Sequence, residues 1–218
     1  MQVNKSEIIE LDALHKLTRK YNADKTGELF NVKGDIGKEY AKAVAGLVRT
    51  IPKEQGFYVW GSFSRNGLWK TVYVGKAGFG KTATLNARIL EELKDERAFL
   101  WRWDANCTTV ETAWPELQPL VSKYFSNKEG VLPERLHAHF KRALRKNKST
   151  HIVWISRNQL SNVDVQRIEA DLIETLNPTV NVQRPVPSSG LQEETINIIR
   201  EFKQVIHEYR SNLSNKSS

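Results

Sequence analysis

The sequence predicts a mixed α/β fold, and three observations carry that expectation. Two β-rich runs, GFYVWGSF and LWKTVYVG, flank Ser64-Arg65-Asn66-Gly67, where Asn and Gly tolerate the positive φ of a hairpin turn. Helical patterns stand before and after this hairpin. A short apolar strand, HIVWIS, leads into a helix with start and stop signals: Ser161 at the cap, Asp164 three residues later and Pro178 at the exit.

In chain order, Ile8, Ile9, Leu11, Leu14 and Leu17 fall near helical spacing and predict a helix over residues 5–22, with Ser6 as its cap. A second helix is expected from about Asp35 to Thr50, burying Tyr40, Val44, Leu47 and Val48, with Pro52 just past its end. The hairpin follows. A helix starting after Thr82 or Ala83 is expected to reach about Arg97. Residues 98–149 read as an inserted, largely helical region that precedes the HIVWIS strand. The stretch RPVPSSG, residues 184–190, has linker composition. Beyond it, Ile199, Phe202, Val205, Ile206 and Tyr209 mark one side of a last helix from about Leu191 to Tyr209, and the polar tail SNLSNKSS is expected to be disordered. The chain thus divides into a helical N-terminal segment (1–52), a core (53–183) interrupted at about 98–149, and a linker, helix and tail (184–218). No internal repeat is visible.

The 218 residues carry a net charge of +8, which points to a polyanionic partner, most often nucleic acid. Cys107 is the single cysteine, so an intrachain disulfide and a cysteine-based zinc cluster are excluded. The first residues lack the layout of a secretory signal, and no apolar run approaches the roughly 20 residues of a membrane helix. A cytoplasmic protein with no membrane partner is expected.

The run VYVGKAGFGKT satisfies G-x-x-x-x-G-K-T from Gly75 to Thr82, the phosphate loop of nucleotide triphosphatases. That loop needs a parallel α/β sheet before it and a later apolar strand ending in Asp for magnesium. Here the preceding strand is the second arm of a hairpin, and HIVWIS ends in Ser156. Asp104 follows a run containing Arg102, a poor buried strand. Nucleotide hydrolysis is therefore not the expected function.

A second constellation fits the same letters better. Gly56-Phe57-Tyr58 lies in the first hairpin arm and Tyr73-Val74-Gly75 ends the second, with Lys76 next. Leu85-Asn86-Ala87-Arg88 lies on the following helix, and Glu169-Ala170-Asp171-Leu172-Ile173, Pro178 and Asn181 occupy the last core helix and its exit. In these residues and their order the chain resembles the GIY-YIG nuclease family, over residues 56 to about 98 and 150 to 183, just over a third of its length. The resemblance implies a GIY-YIG core, a small antiparallel sheet flanked by helices, with helical N-terminal, central and C-terminal additions. It implies a DNA endonuclease that hydrolyses phosphodiester bonds with Mg2+ or Mn2+, most like a stand-alone, site-specific type II restriction endonuclease. A structure-selective repair or mobile-element nuclease is the alternative within the family, and a non-catalytic nucleic-acid-binding protein the alternative outside it.

Phosphodiester cleavage needs an activated water, stabilisation of gathering negative charge, and help for the departing oxygen. By resemblance, Glu169 is the metal ligand and Arg88 neutralises the scissile phosphate with its forked donors. Tyr58 is the candidate to deprotonate or orient the water, with Tyr73 as the second candidate or a phosphate contact. Lys76 either lowers a tyrosine's pKa or touches phosphate, and Asn181 orients the carboxylate or a tyrosine. Many family members place His or Tyr one turn after the arginine; Glu92 stands there, either as an extra acid near the metal or facing solvent.

Lys141, Arg142, Arg145, Lys146 and Lys148 form a basic run that lays cations along a phosphate backbone if helical, or forms a solvated face. Lys81 is a further candidate DNA contact. His137 and His139 diverge on a helix and do not suggest zinc. One Tyr-Tyr-Arg-Glu set makes one active centre, so a double-strand cutter implies a homodimer, at least on double-stranded DNA. The last helix or the first helices are candidate contacts, although the chain's own core competes for the last helix's apolar stripe. A restriction role also implies a cognate DNA methyltransferase encoded nearby.

Overall fold

The computed structural model describes residues 5–20, 35–78, 83–94, 149–178, 181, 186–187 and 189–216. In chain order these form β1 (Ser6–Glu10), α1 (Asp12–Lys20), α2 (Asp35–Val48), β2 (Gln55–Phe63), β3 (Trp69–Ala77), α3 (Leu85–Lys94), β4 (His151–Arg157), α4 (Asn162–Leu176) and α5 (Glu193–Lys216). The expected mixed α/β architecture with a small antiparallel sheet is present. The strands lie in the order β1-β4-β2-β3, and every pairing is antiparallel.

The hairpin forms where Asn66-Gly67 directs it. Gly67 takes φ 73°, and Ser64 N–H donates to the Leu68 carbonyl at 2.8 Å to close the turn. Strand alternation then sends successive β2 side chains to opposite faces. Tyr58 and Trp60 join Ile152 and Trp154 of β4 under the layer containing α1, α2 and α3. Phe57 and Val59 join Val74, Val153 and Ile155 under α4 and α5. The sheet is therefore the middle of three layers, which is why β2 and β4 read as nearly continuous apolar runs. Fully buried Phe57 and Phe202 each contribute about 1.5–3 kcal/mol relative to an exposed ring.

The start of the chain corrects the sequence reading. Residues 6–10 are not the first turns of a helix capped by Ser6; they form β1, which pairs along β4 from Ser6↔Ile155 to Glu10↔His151. The helix begins only at Asp12, so the segment 1–52 is not purely helical. The tail differs too. Residues 211–216 continue α5, helped by Ser211 and Ser214 hydroxyls donating to the His207 and Arg210 carbonyls at 3.0 and 3.2 Å.

The α4 boundaries follow their signals. The Ser161 side chain accepts from Asp164 N–H at 3.1 Å, and Asn177 ends the helix in the left-handed region, its N–H donating to Ile173 O at 3.1 Å. Helix α5 lays Ile198, Ile199 and Phe202 on the chain's own sheet, and buried Arg157 of β4 grips Glu194 and Glu201 at 2.8 and 2.7 Å. Its apolar stripe is thus covered within the chain.

Candidate active site

The candidate residues gather around β3, which is an edge strand. Tyr58 lies directly across the hairpin from Gly75. Its ring crosses β3 over that glycine, and a Cβ at residue 75 would sit inside the ring's van der Waals envelope, 2.6 Å from Cε2. Only glycine admits this approach.

Helix α3 brings the partners. Thr84 accepts from Ala87 N–H at 3.3 Å, Asn86 donates to the Val48 and Ile51 carbonyls, and Leu85, Ile89 and Leu93 bury one face. Glu92 lies on that buried face, three residues after Ile89, and is only 3 % exposed. The fully buried Tyr58 hydroxyl donates to Glu92 Oε1 at 2.5 Å, and Arg88 Nε stands 3.3 Å from the same oxygen. Arg88 Nη1 also donates to the exposed Glu91 at 3.1 Å. Partial burial works against the guanidinium's charge, but the Tyr58 oxygen, the Glu92 carboxylate and Tyr73 outweigh it and raise its pKa above that of an ordinary arginine. Half-buried Tyr73 completes this side, its ring 6.3 Å from that of Tyr58.

The other face of β3 carries a second pair. Lys76 Nζ donates to Glu169 Oε2 of α4 at 2.5 Å. Between the two groups, Asn181 grips the strand itself: Val74 N–H donates to its Oδ1 and its Nδ2 donates to Val74 O, both at 2.9 Å. Asn181 thereby supplies β3 with the hydrogen bonds of a missing neighbour strand. Its amide holds the backbone that carries Tyr73 and Gly75, not the carboxylate or a tyrosine ring.

The structure thus brings Tyr58, Arg88 and Glu92 together, with Tyr73 beside them, and sets Lys76 with Glu169 across the strand. Glu92 is the member whose role the sequence left open. Its burial removes the solvent-facing alternative. Lys81, Lys141, Arg142, Arg145, Lys146, Lys148 and the two histidines, His137 and His139, lie outside the described residues.

Among the described residues no group of three or more His, Cys, Asp or Glu encloses a possible ion. Glu169 nevertheless suits a magnesium-like cation, which takes one or two carboxylates and completes its shell with water and substrate phosphate rather than an all-protein cage. The phosphate-loop alternative finds no parallel strand here, since β3 is antiparallel to β2 and β2 is its only neighbour in the described sheet.

No protein-family model, curated protein or solved structure matches the chain. Fold and site define a mixed α/β protein whose antiparallel sheet carries a buried tyrosine–glutamate–arginine cluster and a lysine–glutamate pair on one edge strand. Among the described residues no helix is long and apolar enough to cross a membrane.

Proposed function

We propose that the protein is a divalent-metal-dependent DNA endonuclease of the GIY-YIG kind, and within that class a site-specific restriction endonuclease. The observation that supports it best is the convergence on β3 of Tyr58 over Gly75, Arg88 with Glu92, and Glu169 with Lys76, from segments far apart in sequence. The net charge of +8 suits the substrate.

Glu169 is the residue to hold Mg2+ or Mn2+. When bound, the ion polarises the phosphate and assists the departing oxygen. Arg88, a third exposed, presents its permanent charge to the scissile phosphate. Tyr73 is the tyrosine that reaches solvent, so it takes the part of orienting the water. Tyr58 is wholly buried with its proton committed to Glu92, and its part is to hold Glu92 and, through it, Arg88. Were Glu169 to hold the cation, Lys76 would turn from it to a phosphate oxygen.

One observation favours a second reading, a non-catalytic nucleic-acid-binding protein: the Glu169 carboxylate is already neutralised by Lys76. Incubating the protein with supercoiled plasmid in Mg2+, Mn2+ or chelator separates the two. Metal-dependent nicked or linear product is expected from a plasmid that carries the target sequence, and intact plasmid under every metal condition would favour the binding protein instead. A DNA methyltransferase gene beside this one would favour restriction over a repair or mobile-element role.

A further inference from the structure

A cavity of about 320 Å³ lies at the turn end of the hairpin, between β2, β3 and α5. That volume is at the lower end of small-molecule sites. It is on the same face of the sheet as Lys76 and Glu169 but at the far end of β3. Trp69 and Lys76 are seven residues apart on that strand, ~23 Å at the rise of a β-strand.

Two features of its lining specify an occupant. Phe63 and Trp69 form an aromatic wall, their ring centroids 5.1 Å apart and edge-to-face, beside Leu68, which is 59 % exposed. Facing them, α5 presents Lys203, His207 and Arg210, spaced four and three residues apart and so on one helix face. The Arg210 guanidinium lies against Gly67 of the hairpin turn, which places its charge at the cavity mouth. None of the three pairs with an acid among the described residues, and none of the described lining residues is acidic. An apolar, aromatic wall opposite Lys203 and Arg210, neither paired with an acid among the described residues, suits a flat ring carrying a phosphate. Single-stranded nucleic acid is bound by the same combination of stacking and cationic contacts.

We propose that this cavity seats one unpaired nucleotide of a DNA strand, its base against Phe63 and Trp69 and its phosphates on Lys203 and Arg210. The proposal rests on the reading that the protein acts on DNA. It adds a contact for an unpaired nucleotide at the opposite end of β3 from Glu169. A DNA strand bound at both ends of β3 would span about seven base steps at 3.4 Å each.

The test uses fluorescein-labelled duplexes, perfectly paired or with a single-nucleotide bulge, bound to the full chain in chelator so that nothing is cut. The bulged duplex is expected to bind at least about tenfold more tightly, a step within reach of one stacked base. Lys203→Glu with Arg210→Glu should erase the preference, and the milder Lys203→Gln with Arg210→Gln should reduce it if the charge-reversed protein does not fold. For a single-stranded oligonucleotide, loss of two phosphate contacts should flatten the log–log salt slope by about 1.4. Equal binding of the two duplexes, or a preference that survives in folded variants, overturns the proposal. So does a cavity filled by dAMP or decanoate alone, read as saturable tryptophan quenching, with no preference among the duplexes. Because the assay reads binding without cleavage, a protein that prefers the bulge but never cuts keeps this site and loses the nuclease reading. One that cuts with Mg2+ but shows no preference does the reverse.

Discussion

Arg88 touches two glutamates that differ in one respect: Glu91 is 56 % exposed and Glu92 only 3 %. Replacing each with alanine should therefore have unequal consequences. Glu91→Ala removes an exposed helical pair and should cost under about 0.5 kcal/mol. Glu92→Ala removes the carboxylate that accepts from the Tyr58 hydroxyl, which is wholly buried and donates to it at 2.5 Å. Losing the acceptor of a buried donor costs ~1–3 kcal/mol. The guanidinium, partly exposed and still beside Glu91, rehydrates and adds no more than ~1 kcal/mol. The total is ~1–4 kcal/mol, or about 2–16 °C in melting temperature for a chain of this size. Glu92→Gln keeps an acceptor for Tyr58 and should fall between the two. Thermal scans and urea titrations of all three variants make the comparison. If Glu92→Ala melts with wild-type protein at an unchanged urea slope, or if the two alanine variants are equally destabilised, Glu92 is not the buried partner of Tyr58.

Gly75→Ala drives a methyl group into the Tyr58 ring and should destabilise by about 2–3 kcal/mol or more, read as a lower urea midpoint, with no effect expected only if the ring lies elsewhere. Burial holds the His151 imidazole below its ordinary pKa of 6.5, an effect only partly countered by Glu10 and Asp12. The unfolded chain then takes up its proton first, so the stability present above that pH is lost on acidification, and His151→Phe should flatten the decline of the urea midpoint from about pH 7 to about pH 5. Lys76→Met removes the cation that competes for Glu169 and should tighten Mn2+ binding, measured by calorimetry without DNA; unchanged or weaker binding would mean that Glu169 is not the ion's anchor.

Local signals carried much of the fold. The hairpin was legible because Asn66-Gly67 specifies its turn, and α4 because Ser161 and Asp164 cap it. Strand β1 was not, because five residues gain their structure from β4, some 145 positions away, while Ile8, Ile9 and Leu11 mimic helical spacing. The end of α5 was hidden by polar composition, since its serines satisfy helix carbonyls in a way no periodicity shows.

At the site, residue order placed Tyr58, Arg88 and Glu169, but not their faces. The burial of Glu92 had a usable signal, its position seven after Leu85 and three after Ile89 on the apolar stripe of α3. Asn181 bonding to Val74 had none, because it depends on β3 being an edge strand. Nor did the contact of Tyr209 with Glu10 and its 3.2 Å approach to His151, which join three distant segments.

Cleavage by Glu169→Ala, set against its DNA binding, decides whether this edge strand is a catalytic centre. The substitution removes the one carboxylate assigned to the metal and no cationic contact. In Mg2+, wild-type protein should convert supercoiled plasmid to nicked or linear product, while a folded Glu169→Ala variant should leave it intact and still bind duplex. Cutting by the variant at the wild-type rate would contradict the assignment of Glu169 and the metal-dependent hydrolysis built on it.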